Sequence, residues 1–367
     1  MPSSRPVRRW SPAGADPFDY VTVDLGGASA RVVDLTALGP QGETTVNKPF
    51  TVTASQVGQV FGVTLDDATA PNIYLAATSV YGLSIYVTDP SGQMKRVERG
   101  EAGAQFVPGQ FGPPEIGGSP GTVWRVDGTT GEVTPFTTVG DSGYGAASLG
   151  GIAYDPQSQQ IFVAERSTGI VYRYGLDGSQ QGTYDHGVEG RPGEGLPTLP
   201  LVPAAPIDIT SPAFDTSSPA TWGFAAPARR VFALAVRDSR LYYSVAQGPQ
   251  IWSVGINPSG SVSASPRIEV DVPTLADGIE ITSITFDPQG RMYLAERGAT
   301  SGDYTLYSLA NGGQSRVLRF TPKQPGEPGP GRWKPDYEQY SVGMAPAFNN
   351  ADGGVALGYG YTPGNDG

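Results

Sequence analysis

The chain contains no cysteine and a single histidine, His186. Without thiols there is no disulfide framework, no cysteine-ligated zinc and no thiol nucleophile. One imidazole excludes a histidine-rich metal cluster and leaves room for one histidine acid or base. Basic residues are outnumbered, 24 Lys+Arg against 35 Asp+Glu, for a net charge of −11. A chain so acidic lacks the cationic face that nucleic-acid binding requires. No run of 18 apolar residues occurs, so no transmembrane helix is expected. Met1 to Arg9 is basic but has no apolar stretch beside it, so it does not read as a secretory leader. Export by another route, a cytosolic protein and a piece of a longer protein all stay open. Helical periodicity is nearly missing, and no nucleotide-binding, zincin or serine-hydrolase motif is present.

What the chain has in quantity is turn residues, 51 Gly and 34 Pro among 367. They fall between short apolar runs rather than in one tract, which favours an all-β protein over disorder. Leu149 to Gly187 shows the unit: LGGIAYDPQSQQIFVAERSTGIVYRYGLDGSQQGTYDHG. It reads as four strands joined by turns at Asp155-Pro156-Gln157, Ser167-Thr168-Gly169 and Asp177-Gly178. Thr282 to Arg297 repeats its first half, Val231 to Gly255 repeats it with other residues, and Val60 to Ser79 is the most degenerate copy. The third strand recurs as Val123–Val126, Val171–Tyr174, Ile251–Val254 and Val317–Phe320.

Repeats of about 40 or more residues, each a four-stranded sheet, predict a β-propeller. One such sheet cannot bury both faces alone, so blades must stack around an axis. A sandwich or a solenoid is the alternative packing. First strands near Val63, Ile152, Leu234, Ile284 and Ala356 give five blades, or six if an insertion hides one. The N-terminal runs Tyr20–Leu25, Ala30–Leu35 and Phe50–Ala54 resemble outer strands lacking an inner one. Gly353 to Tyr361 resembles an inner strand with nothing after it. The two ends are therefore expected to complete one blade and close the ring. Residues 1–17 and 362–367 are expected to be loose, with the propeller spanning 18–361.

Long insertions at 83–120, 187–230 and 298–315, with Met344 to Gly353, follow second strands or lead into first strands. That places them on one face of the disc, opposite the short turns. Long loops raised on a rigid scaffold are where function concentrates. Glu165 and Glu296 end equivalent second strands on that face and, with Asp185, are candidates for a Ca²⁺ site. Each can instead pair with an arginine or a backbone amide. His186, beside Asp185, Glu189 and Glu194, is a candidate base, with Glu165 and Glu296 as further catalytic candidates. Arg166, Arg297, Arg191, Trp222 and Phe224 are candidate ligand contacts, the aromatics serving otherwise as anchors of the insertion. Asp66, Asp155 and Asp287 recur at tight turns, where their side chains cap backbone amides. Arg125, Arg173 and Arg319 recur on third strands and are expected to reach neighbouring blades. Asp141–Gly143 and Asn350–Gly354 are oxygen-rich but lack calcium-loop spacing.

The text GGIAYDPQSQQIFVAERSTGIVYRYGLDG resembles the NHL-repeat and gluconolactonase-like group of propellers, which read as strand, Asp-Pro turn, strand with a terminal acidic residue, then a strand ending in Asp-Gly. The match is good over 149–187 and 280–320. It implies a propeller and, for the enzymes of the group, one metal held at the ring centre by Glu, Asn and Asp; Glu165 and Glu296 fall at the corresponding place. The chain also resembles propeller modules of large bacterial surface or secreted proteins. The reading is a non-enzymatic binding module, secreted or at the cell surface, meeting a protein or carbohydrate at its loop-bearing face with calcium assisting. The rival is a metal-dependent hydrolase or lyase acting on a lactone or ester at the axis. Carboxylates converging on an axial funnel would favour the enzyme.

Overall fold

The computed structural model describes residues 6–8, 14–34, 47–80, 82–140, 148–202, 207–297, 315–328, 331–340 and 353–357. The N-terminal strands are β1 (Pro6–Arg8), β2 (Val21–Val23), β3 (Ala28–Arg31) and β4 (Thr51–Thr53). The next sheet begins with β5 (Val60–Leu65) and β6 (Ile73–Ala77). An insertion carries β7 (Ile85–Thr88), β8 (Met94–Val97) and β9 (Gln105–Phe106) before β10 (Thr122–Val126) and β11 (Val133–Thr138) finish that sheet. Three further sheets follow: β12 (Leu149–Asp155) to β13 (Gln160–Glu165), β14 (Ile170–Gly175) and β15 (Gln180–Asp185); β16 (Val231–Arg237) to β17 (Arg240–Val245), β18 (Gln250–Ile256) and β19 (Val262–Asp271); β20 (Glu280–Phe286) to β21 (Met292–Arg297), β22 (Val317–Pro322) and β23 (Trp333–Tyr340).

Each of these four sheets is antiparallel, with its strands side by side in chain order. They are blades of a propeller. The cores lie between them, because each sheet is apolar on both faces. Tyr74 and Val123 of the first meet Ile161 and Tyr172 of the second in one cluster. Phe162 and Tyr184 of the second meet Tyr243 and Trp252 of the third in the next. Tyr242 and Ile251 of the third meet Leu294 and Phe320 of the fourth.

The first strands converge at the axis. Every one is bulged at the same place, between Val60 and Gly62, Leu149 and Ile152, Val231 and Leu234, Ile281 and Ser283. Side chains near these bulges must be small. A β-carbon on Gly62 would lie 2.5 Å from the Gly150 carbonyl, and one on Gly151 2.7 Å from the Leu234 amide. Hydroxyls stitch the seams: Thr64 Oγ1 accepts from the Tyr154 amide at 3.2 Å, and Ser244 Oγ links the Ala233 amide to the Ile281 carbonyl.

The turn aspartates act as caps. Asp66 accepts from the Ala68 and Asn72 amides, Asp155 from those of Gln157 and Ser158, and Asp287 from that of Arg291. The third-strand arginines behave otherwise than expected. The bonds of Arg125 to Asn72, Arg173 to Gln160 and Arg319 to Asp336 all stay within the arginine's own blade. A third strand is flanked on both sides by strands of its own sheet, so its long side chains find partners there first.

The two ends approach the gap between the first and fourth blades. The β3–β4 pair packs through Ala30 and Val52 against Leu75 and Trp124. Val355 and Leu357 pack on Tyr293 and Val317 of the fourth blade, and Thr282 Oγ1 donates to the Gly353 carbonyl at 2.7 Å. Among the described residues no ladder joins β3 to residues 353–357. Residues 6–8, expected to be loose, pair as β1 with β2. The tail 362–367, the segment 298–314, Asp141–Gly143 and residues 350–352 lie outside the described residues. No described helix is long and apolar enough to cross a membrane.

Candidate functional site

The insertion after β6 and the insertion before β16 meet. Leu83, Ile85, Ala104 and Phe111 from the first share one buried cluster with Phe214 and Trp222 from the second. Backbone bonds join them, Gly100 N–H to the Phe214 carbonyl at 3.0 Å and Thr216 N–H to the Glu98 carbonyl at 2.8 Å. Arg99 pairs with Asp215 at 3.1 Å. The result is a platform on one face of the ring, with its own three-stranded sheet ordered β8-β7-β9. Trp222 is fully buried and its indole N–H donates to the Asp215 carbonyl at 2.9 Å. It anchors the platform and has no surface left for a ligand.

Phe224 ties the platform to the ring. The Arg166 guanidinium lies 4.7 Å from the centre of its ring and 5.1 Å from that of Phe232. Arg166 grips Glu280 through both terminal nitrogens, and Arg230 reaches the same carboxylate at 3.1 Å. Burial pushes the Glu280 carboxyl up, but the positive charges of Arg166 and Arg230 and their hydrogen bonds outweigh it and hold the pKa below the ordinary value. Arg166 thus joins the second blade to the fourth and is not open to a ligand. Sequence reasoning missed Glu280 and Arg230, whose partners are distant along the chain.

The proposed metal ligands are each consumed by internal bonds. Glu165 is buried and accepts from the amides of Ser148, Ser167 and Thr168 at 3.1, 2.7 and 2.8 Å, and from the Thr168 hydroxyl. Glu296 is buried in a forked pair with Arg316 at 2.8 and 2.7 Å. Asp185 accepts from the Gly187 amide and from Arg229, both at 2.8 Å. Among the described residues no three Asp, Glu or His side chains gather where they could hold a metal ion. The structure does not bring Glu165, Glu296 and Asp185 together in one cluster.

His186 is fully buried, its Nδ1 3.0 Å from the Tyr243 hydroxyl, which is itself 3.0 Å from that of Tyr184. Burial, then the positive charges of Arg191 and Arg229, lower its pKa to about 3. Such an imidazole is neutral at pH 7 but too weakly basic and too enclosed to act as a general base. Arg191 donates to the carbonyls of Pro197 and Ala228 and so braces the insertion backbone. Arg297 is buried at the end of β21 and lines the axial cavity.

That cavity, of about 1040 Å³, runs along the axis between β5, β12, β16, β20 and residues 354–357. Among its described lining residues the only charged side chains are Arg31 and Arg297, and no carboxylate reaches it.

No family model matches the chain, and no curated protein matches it in sequence. Solved structures do. A putative 6-phosphogluconolactonase from Bacteroides uniformis is 13% identical over 88% of this chain and 82% of its own, with a TM-score of 0.39. A structure of the nidogen/laminin complex is 14% identical over 77% of this chain and 67% of that one, TM-score 0.39. Regucalcin from Agrobacterium tumefaciens, described as a calcium-binding protein, is 10% identical over 73% and 72%, TM-score 0.34. These are β-propellers, gluconolactonase-like ones among them, and the likeness is one of architecture at low identity.

Proposed function

We propose that the protein is a non-enzymatic binding module, a five-bladed ring closed by its two ends, belonging to a secreted or surface-displayed bacterial protein. It meets a protein or carbohydrate ligand at the face that carries the insertions. The observation that carries this reading is the shared core of two insertions from different blades. Loops that merely drift have no reason to build a joint hydrophobic core, an ion pair and backbone bonds with one another. The same face holds four of the exposed large apolar side chains: Ile116, Val188, Val202 and Leu275, each in a segment that follows a second strand or leads into a first. Against the metal-dependent hydrolase stands the engagement of Glu165 and Glu296 by internal donors.

The test has two arms. Ligands selected from peptide and glycan arrays with the whole protein should lose binding in Ile116→Asp and Val202→Asp, whose parent side chains are 49% and 80% exposed, with no change in melting temperature. Undiminished binding by both variants would sink the platform reading. A lactone and ester panel with Ca²⁺, Mn²⁺ or Zn²⁺ should give no turnover, and Ca²⁺ or EDTA should leave the melting temperature within about 1 °C, a fraction of a kcal/mol. Metal-dependent turnover abolished by Glu165→Gln would establish the enzyme instead.

A further inference from the structure

Exposure along the inner strands has a direction. In β16, Val231, Phe232 and Ala233 are buried while Ala235 and Val236 are partly exposed; in β20, Ile281 and Thr282 are buried while Thr285 and Phe286 are partly exposed. In β5, Val60 and Phe61 are partly exposed and Gly62 buried, while Val63 and Leu65 are exposed by 56% and 51%. Both line the axial cavity, and no other described strand exposes a large apolar side chain to this degree. Toward the insertion face the wall at Phe61 is backed by a stack. Phe61 meets Phe232 edge-on at 5.5 Å, and Arg166 lies beyond Phe232. The cavity therefore opens toward the short turns, away from the platform.

Its chemistry is specific in sign. The first strands are edge strands of their sheets, and runs of consecutive residues from all four line the space, so their outer backbone edges supply hydrogen-bond donors and acceptors besides those already engaged, such as the Tyr154 amide. Val63, Leu65, Ile152, Leu234 and Ile284 add apolar surface. The formal charges on the described wall are two guanidinium groups, Arg31 and Arg297, in a chain whose net charge is −11. A volume of about 1040 Å³ with apolar walls and few polar groups suits a small organic ligand rather than a protein segment.

We infer that the axial cavity is a second binding site, entered from the short-turn face, for a small hydrophobic anion such as an aryl or alkyl carboxylate or sulfonate. The apolar body packs on Val63, Leu65 and Ile284, and the anionic group takes free backbone N–H donors in the positive field of the arginines. This site is separate from the platform and stands without it.

The probe is 8-anilinonaphthalene-1-sulfonate, followed by fluorescence and by calorimetric titration of the whole protein. Saturable binding at one site per chain is expected. Val63→Asp and Val63→Lys remove the same apolar contact with opposite charge. The aspartate should weaken binding by about tenfold or more, as an added like charge near a bound anion does, and the lysine by less than about threefold. Leu65→Asp, also at an exposed wall position, repeats the test should Val63→Asp unfold. Arg99→Glu, on the platform, should leave the titration unchanged, which separates this site from the one proposed there. Absence of saturable binding, equal weakening by both signs of charge, or no effect of any wall substitution overturns the assignment.

Discussion

Glu280→Gln is the sharpest test of how the ring is held together. The substitution keeps size and an acceptor oxygen but removes the charge that two arginines share. Arg166 has no exposed surface, while the Glu280 and Arg230 side chains are 13% and 19% exposed. Arg230 can turn toward water. Arg166 cannot, because Phe224 and Phe232 enclose it. Removing one member of a buried pair costs about 3–5 kcal/mol, because the other charge stays desolvated. The two aromatic faces recover part of this, about 1 kcal/mol, so a loss of about 3 kcal/mol is expected. By the entropy scaling for a chain of 367 residues that is a fall of about 4 °C in melting temperature. The assay is urea denaturation followed by circular dichroism between pH 3 and 8. The Glu280 pKa is lowered on folding, so its stabilisation is complete above the unfolded value of 4.5 and is lost as pH falls through the folded one. The gap between wild type and variant should therefore be constant above pH 5 and close below it. The double substitution Arg166→Met with Glu280→Leu should recover most of the loss. A single-variant cost under about 1 kcal/mol, or a gap that widens in acid, would show that the pair is not the tie described.

Two further outcomes are expected. His186 is the chain's one histidine, so its ring protons give a single set of resonances; they should not titrate between pH 8 and 4, since its folded pKa is about 3. Because that pKa lies below the unfolded value of 6.5, stability is complete above 6.5 and falls at lower pH, by about 2 kcal/mol at pH 5; a midpoint near 6.5 in the NMR titration refutes the burial argument. Trp222→Ala should cost about 3–5 kcal/mol, confined to the platform, since every member of its cluster lies in the two insertions. Hydrogen exchange should quicken in β7 and β8 and stay slow in β13 and β17; uniform acceleration would mean that platform and ring unfold as one.

The blades were legible because their signals are local. An Asp at a turn bonds amides two to six residues on, as Asp66 and Asp155 do, and strand alternation needs only the strand itself. The partners of the two candidate glutamates were only partly legible: Glu165 accepts from Ser167 and Thr168, two and three residues on, but also from an amide 17 residues back. Nothing near Glu165 in the sequence announces the Ser148 amide, and Arg316 lies 20 residues from Glu296. Arg166 and Glu280 are 114 residues apart. His186 misled for the opposite reason. Its acidic sequence neighbours suggested a dyad, but Asp185 pairs with Arg229 and Glu189 accepts from the Asp185 amide, so neither serves the imidazole. The aromatic pair in the second insertion was readable as apolar surface, but which residue anchors and which stacks on an arginine depends on a cluster assembled from two blades.

The same remoteness explains why the elaborated face and the axis carry different chemistry. Between blades, packing is continuous and apolar, so a charge survives there only when neutralised, as the Glu280 carboxylate is by Arg166 and Arg230 from other blades; Glu296 is neutralised within its own blade by Arg316. Among the described residues the axial wall carries apolar side chains, hydroxyls and two arginines, and no carboxylate. The contact that spans both regions is the stack of Phe224, Arg166, Phe232 and Phe61, which begins in the platform and ends in the cavity wall. Its members are buried or half-buried, and the Glu280 carboxylate holds the guanidinium at its centre, so the stack is a packed boundary between the platform and the cavity wall.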